Sequence, residues 1–253
     1  MPEKKESARA TVLLSLATVV IAAYALAFGL QTLIYFEARH WTVATPFLTQ
    51  VPQPLPSTVA SAPQEKTLSF YGYQFAAPWK GIRREQPGNA RSQINFAAGP
   101  ILVFFNPEGE KNIVESIRRG DPQVYQRYQT VFGQNLFPDD YALYRAVYGA
   151  TPASLSPFMS SAKAVRISTL LQWKMAFGNN NASAIYTLHA GRSRGLQFGD
   201  PSHNPAIVVR LFDPSDREMR LLFTSKSAQP GTFSQADINC VIDSIEPVSA
   251  AIK

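Results

Sequence analysis

Residues 11–36 carry no charged side chain and consist mostly of Val, Leu, Ala and Ile. As a helix rising about 1.5 Å per residue, this run reaches roughly 39 Å, against a bilayer hydrocarbon core of about 30 Å. It is long enough to span, with some tilt. A cleaved signal peptide has a shorter apolar region, about 7–15 residues, that ends at a small-residue site. Here Phe36-Glu37-Ala38 follows instead. A soluble core helix with no polar face fits less well still. The expectation is a single transmembrane helix over residues 11–36, in contact with the lipid bilayer, preceded by a tail at 1–10. Tyr35 and Trp41 fall where interfacial aromatics belong. Lys4, Lys5 and Arg9 precede the run, whereas only Arg39 lies close behind it. That asymmetry keeps the N-terminus cytoplasmic and exports the remainder across the cell (inner) membrane, into the periplasm in a Gram-negative cell.

The rest of the chain must then be a folded domain and its connection. An apolar content of 45%, with 11% aromatic, excludes intrinsic disorder, and a single cysteine excludes an internal disulfide. Pro46, Pro52, Pro54, Pro56 and Pro63 punctuate residues 37–63, which rules out helix and central strand for the proline-bearing part. The segment reads either as an extended spacer crossing the envelope or as a plain linker. Residues 64–248 form the expected domain.

Strand signals occupy residues 68–75, 92–97 and 101–105. The period then lengthens to that of a helix over residues 111–178, a large helical insert. Within it, Asp121-Pro122 starts a helix with a Val124, Tyr128, Val131 and Phe132 stripe. Asp139 or Asp140 caps a second helix bearing Tyr141, Tyr144 and Tyr148, stopped by Gly149. Thr151-Pro152 repeats the start signal, and a helix over 160–177 presents Val165, Leu170, Trp173 and Phe177. Strands follow at 183–189, 194–198, 206–212 and 218–224, and Ser234 caps a closing helix with Ile238, Val241, Ile242 and Ile245 inward. The predicted fold is α+β: an N-terminal transmembrane helix, then an antiparallel sheet flanked by helices.

The strand ending Gly72-Tyr73-Gln74-Phe75-Ala76-Ala77-Pro78-Trp79 and the closing helix from Asp237 to Ile245 together form a frame. It resembles the PsbP/Mog1-like superfamily, whose members place an antiparallel sheet between helices. The resemblance covers only these two short stretches, and the helical insert exceeds the usual connection there. It implies an accessory, adaptor or lipoprotein domain in an exported setting, without catalytic activity.

Motifs for chemistry are sparse. Neither G-x-x-x-x-G-K nor G-x-G-x-x-G occurs, so no cofactor is expected. Gly191-Arg192-Ser193-Arg194-Gly195 has the letters of a nucleophile elbow, but strand rather than helix follows it, and a hairpin turn is the better reading. Asp200 and His203 share a turn that His189 approaches if the hairpin brings it near. Those three residues are the alternative, a hydrolase-type or metal-dependent site; His40 stands apart at the membrane edge. Cys240 reads as a small buried apolar residue. Arginine pairs at Arg83-Arg84, at Arg118-Arg119 and at Arg192 with Arg194 suit a plain solvated charged face, or else an anionic lipid, glycan or acidic protein face outside the cell, and no nucleic acid is expected. The stripe Tyr141, Tyr144 and Tyr148, with Arg118 and Arg119, is the candidate surface for an envelope protein. Packing of the same tyrosines onto the sheet is the alternative, and the pattern favours it.

Overall fold

The computed structural model describes residues 3–64, 67–107, 113–120, 122–133, 137–178 and 181–248. The Asp121 cap, the start of the insert at Lys111 and the breaker Asn179-Asn180 lie outside these residues, as do the side chains of Lys4, Lys5 and Arg9.

Helix α1 runs unbroken from Glu3 to Ala44. It therefore exceeds the expected 11–36 at both ends, because neither flank carries a proline or a cap strong enough to stop it. Within it, Ala17–Trp41 is long and apolar enough to cross a membrane and is almost wholly unburied.

Among the described residues, eight strands form the main sheet in the order β1-β7-β8-β9-β10-β6-β5-β4. They are β1 (Gln53–Pro54), β4 (Ile82–Gln86), β5 (Arg91–Phe96), β6 (Ile101–Phe105), β7 (Ile185–Ala190), β8 (Ser193–Phe198), β9 (Ala206–Phe212) and β10 (Glu218–Thr224). All neighbours are antiparallel except β1, which pairs parallel to β7 through Gln53↔Tyr186 and Pro54↔Thr187. The sheet is thus mixed, not antiparallel throughout. β4 lacks a sequence signal because all five of its side chains are exposed at an edge.

Residues 68–75 form a hairpin rather than one strand. β2 (Leu68–Phe70) and β3 (Tyr73–Phe75) join through Tyr71 and Gly72, both at positive φ (50° and 77°), as a type I′ turn requires. Tyr71 is an unusual residue there, and it is held by stacking on Phe104 and by hydrogen bonds with Gly88 and Ser92. With β11 (Glu246–Pro247) the hairpin makes a second, three-stranded sheet.

The main sheet separates two apolar cores. Ile94, Phe96, Leu102, Phe104, Val209 and Leu221 face α6 (Gln235–Asp243) and the small sheet. Ser234 and Asp237 close a capping box at the start of α6. On the opposite face, Leu196, Phe198 and Phe212 meet α4 (Asp140–Gly149), which Asp139 caps through the Ala142 amide. Helices α2 (Ile113–Arg119), α3 (Pro122–Phe132) and α5 (Ser161–Ala176, capped by Ser160) complete this layer. Thr151-Pro152 begins only a 3-10 turn, because the helix that follows starts anew at Ser160.

The proline-rich segment is not an extended spacer. After a 3-10 turn at Pro46–Thr49 it lies along the domain. The Leu55 amide donates to Thr187, Ser61 donates to Ala236 and to the Asp237 carboxylate, and Asn239 donates to the Thr58 carbonyl. Prolines suit it to an edge because their missing amides cost nothing there.

Candidate functional site

Three surfaces could carry function: the seam between α1 and the insert, a cleft beside α6, and the turn holding Asp200.

At the seam, α1 enters the domain core. Ala38 is buried, and Ile34, Tyr35 and Trp41 pack with Leu143, Val147, Ala164 and Leu171. Gln31 is buried at 2% exposure; its amide donates to the Ala27 carbonyl, and its Oε1 accepts from Ser161 Oγ at 2.9 Å. Further on, α1 leads into the 3-10 turn whose Leu48 carbonyl meets Lys174 of α5. Helices α1 and α5 therefore run side by side in the same direction.

Lys174 is fully buried. Its Nζ donates to the carbonyls of Leu48 (3.2 Å), Gln50 (2.5 Å), Tyr148 (2.9 Å) and Ala150 (3.0 Å), and it lies 5.7 Å from the Phe47 ring. Two of these carbonyls terminate α4, where a cation meets the negative end of the helix dipole. Burial pushes the ammonium down to about 8. A second buried charge ties the insert to the sheet: Arg210 of β9 donates to Glu218 (2.6 Å) and to the Tyr144 hydroxyl (2.7 Å). Burial, reinforced by Glu218, raises the Tyr144 phenol well above its ordinary range.

The expected tyrosine stripe is therefore interior. Tyr141, Tyr144 and Tyr148 are buried against Ile185, Leu196, Phe198 and Phe212, which removes them as a partner-binding surface. The 3.6-residue period put them on one face, and that face meets the sheet. Arg118 and Arg119 remain accessible on α2, where both pair with Glu115.

The cleft, with a volume of about 750 Å³, opens between the β7–β8 turn, the β9–β10 turn and the end of α6. Asp213 anchors it, accepting from Arg217 Nε (2.9 Å) and from the Tyr73 hydroxyl (3.3 Å). Ser244 is committed to the α6 terminus, donating to the Cys240 and Val241 carbonyls and accepting from the Ala76 amide. Arg192, Asp243 and Glu246 supply the remaining charge. Burial raises the Asp243 carboxyl above the usual carboxylate range.

Gly191 and Arg192 form the two-residue turn between β7 and β8, with Gly191 at φ 58°. Ser193 accordingly begins a strand, and the G-x-S-x-G letters mark a hairpin.

His189, Asp200 and His203 do not converge. Ile185 pairs with Phe198 and His189 with Arg194, so His189 sits about 13 Å along the hairpin from the end that Asp200 follows. His203 Nδ1 lies 3.8 Å from Asp200 and 2.8 Å from Ser202 Oγ. Burial works to raise the Asp200 carboxyl, but hydrogen bonds from Ser202 and Tyr186 outweigh it and hold it below its ordinary value. Among the described residues no group of three His, Cys, Asp or Glu side chains could hold a metal ion. Cys240 is buried, and burial together with Asp237 and Asp243 pushes its thiol up, away from nucleophilic use.

No protein-family model, no curated protein and no solved structure matches this chain.

The residues that sequence reasoning missed are Gln31, Lys174 and the Arg210–Glu218 pair. Lys174 did leave a signal: it stands four positions after Leu170 and three after Leu171, on the apolar stripe of α5.

Proposed function

We propose that this chain is a single-pass membrane protein with a cytoplasmic N-terminus and an exported accessory domain that binds another envelope component rather than catalysing a reaction. The observation that carries the reading is the continuity of α1: the helix apolar enough to span also supplies Ile34, Ala38 and Trp41 to the domain core. A removable leader would take part of that core with it. Lys4, Lys5 and Arg9 before the span support the orientation.

With the tyrosine stripe buried, the cleft and the α2 arginines are, among the described residues, the surfaces that best suit a partner. The cleft's mix of Tyr73, Met219 and Ile245 with rim charges suits a peptide segment. The PsbP/Mog1-like relationship belongs to this same proposal; a sheet layered between α6 and the insert is in keeping with it.

One experiment tests both halves. The full chain, fused after Lys253 to a reporter active only outside the cytoplasm, carries a photo-crosslinking residue in place of Arg192 or Arg119. Reporter activity and a discrete crosslinked protein from either position are expected. A silent reporter overturns the orientation, and no crosslink from either position with an active reporter overturns the binding role.

A further inference from the structure

The docking of α1 fixes where the bilayer must meet the domain. Residues 155–160 connect the 3-10 turn at Pro152–Ser154 to α5, and Phe158 at their tip is 71% exposed. Its ring is edge-on to Tyr24 and Phe28 of α1, with centroids 6.2 Å away in both cases. The Tyr24 hydroxyl meets Thr32 Oγ1 at 3.0 Å, so its ring leans toward the C-terminal end of α1 and Phe158 sits near the axial level of residue 28 of the spanning helix.

A hydrocarbon core of about 30 Å takes about 20 helical residues. Slid to its N-terminal limit within the charge-free run it covers roughly residues 11–30, and at its C-terminal limit roughly 17–36. Both placements contain residues 24–28. Whatever the register, Phe158 is at hydrocarbon depth.

Neighbouring chemistry agrees with that level. Leu26, Leu30, Leu33 and Phe36 form an exposed apolar face of α1 that turns away from the insert. Gln31, the one amide side chain in the run, has its donor and acceptor satisfied by Ala27 and Ser161, as an apolar surrounding demands. Since α1 and α5 run in parallel with Gln31 beside Ser161, the exposed Lys163 and Arg166 come level with Leu33 to Phe36. There, with the hydrocarbon ending near residue 30, Lys163 can reach lipid phosphates while its stem stays in apolar surroundings, and the Arg166 guanidinium lies 5.7 Å from the Phe132 ring of the insert.

We propose that residues 155–160 form a membrane-inserted wedge, with Phe158 in the acyl region of the leaflet nearest the domain and Lys163 at its headgroups. The domain then stands in a fixed attitude on the bilayer, held at two elements instead of swinging from one. The proposal rests on α1 spanning the membrane, and its test separates the two.

In a Cys240→Ala background, single cysteines replace Phe158, Leu26 or Ser215, the last on the exposed β9–β10 turn. Each carries an environment-sensitive fluorophore, and the full chain is reconstituted in phosphatidylcholine–phosphatidylglycerol vesicles containing acyl-chain nitroxide lipids. Severalfold stronger quenching at 158 and 26 than at 215 is expected. Quenching at 26 without quenching at 158 overturns the wedge and leaves the anchor standing. Quenching at neither position overturns both.

Discussion

Replacing Lys174 with methionine is expected to destabilise the folded domain by about 3 kcal/mol, because four carbonyls lose at once the three N–H donors they share. Methionine fills the space of the stem, so a cavity contributes little. The carbonyls of Leu48, Gln50, Tyr148 and Ala150 are main-chain groups and cannot be removed with the amine. Some of the loss is offset by no longer burying a charge, which keeps the net effect near the cost of one or two unsatisfied buried carbonyls, about 1–3 kcal/mol each. In thermal unfolding of the detergent-solubilised chain this corresponds to a midpoint roughly 6–12 °C lower.

The same residue carries a pH signature. Burial lowers Lys174 to about 8, against 10.5 for a free lysine. Between those values the unfolded chain binds a proton that the folded chain has released, so this group makes stability rise with pH across the window. Below about pH 8 both states are protonated, and the full cost of burying the ammonium is present. Lys174→Met is expected to lose that rise, so that its stability deficit relative to wild type widens from about pH 7 to about pH 9.5. Equal stability of the two proteins throughout would mean that the four carbonyls find other donors.

Gly195→Ala is expected to have an effect of comparable size, about 3 kcal/mol or more, for a purely steric reason. Gly195 lies within β8 opposite Leu211 of β9, where a Cβ would fall 2.2 Å from the Arg210 carbonyl oxygen and 2.9 Å from Leu211 Cδ2. The clash is with main chain at an interior pair of the sheet, so relief requires β8 and β9 to separate. Separation would also disturb Arg210, whose guanidinium holds Glu218 and Tyr144. Gly149→Ala provides the control, since nothing lies within 4 Å of a Cβ there and its backbone is not left-handed. It is expected to unfold at or slightly above the wild-type midpoint. Similar behaviour of the two alanine variants would remove the steric explanation.

What could be read from the sequence divides along physical lines. The strands β6 to β10, the helices α4 to α6 and the apolar α1 were legible because each depends on local periodicity and turn chemistry. β4 was not, since an edge strand of Ile-Arg-Arg-Glu-Gln has no buried face to pattern. The hairpin around Tyr71-Gly72 was hidden because tyrosine rarely adopts positive φ, and it does so here on the strength of Phe104, Gly88 and Ser92, all distant in sequence. The proline-rich segment showed what it could not be, but its pairing with β7 is a tertiary fact.

The candidate sites divided in the same way. Periodicity grouped Tyr141, Tyr144 and Tyr148 correctly without revealing which layer they face. Turn signals placed Asp200 and His203 together, while strand length alone carried His189 away from them. The seam of α1 against α5 depends on Gln31 meeting Ser161, a pairing 130 positions apart that no local pattern announces.

That seam is the centre of the structural reading, and cysteine crosslinking tests it most directly. In the Cys240→Ala chain, Gln31→Cys and Ser161→Cys are combined and a short thiol crosslinker is added to intact membranes. Near-complete crosslinking within single chains is expected. Failure to crosslink in protein that still resists alkaline extraction from the membrane would contradict the seam, leaving a domain that hangs loosely from its anchor.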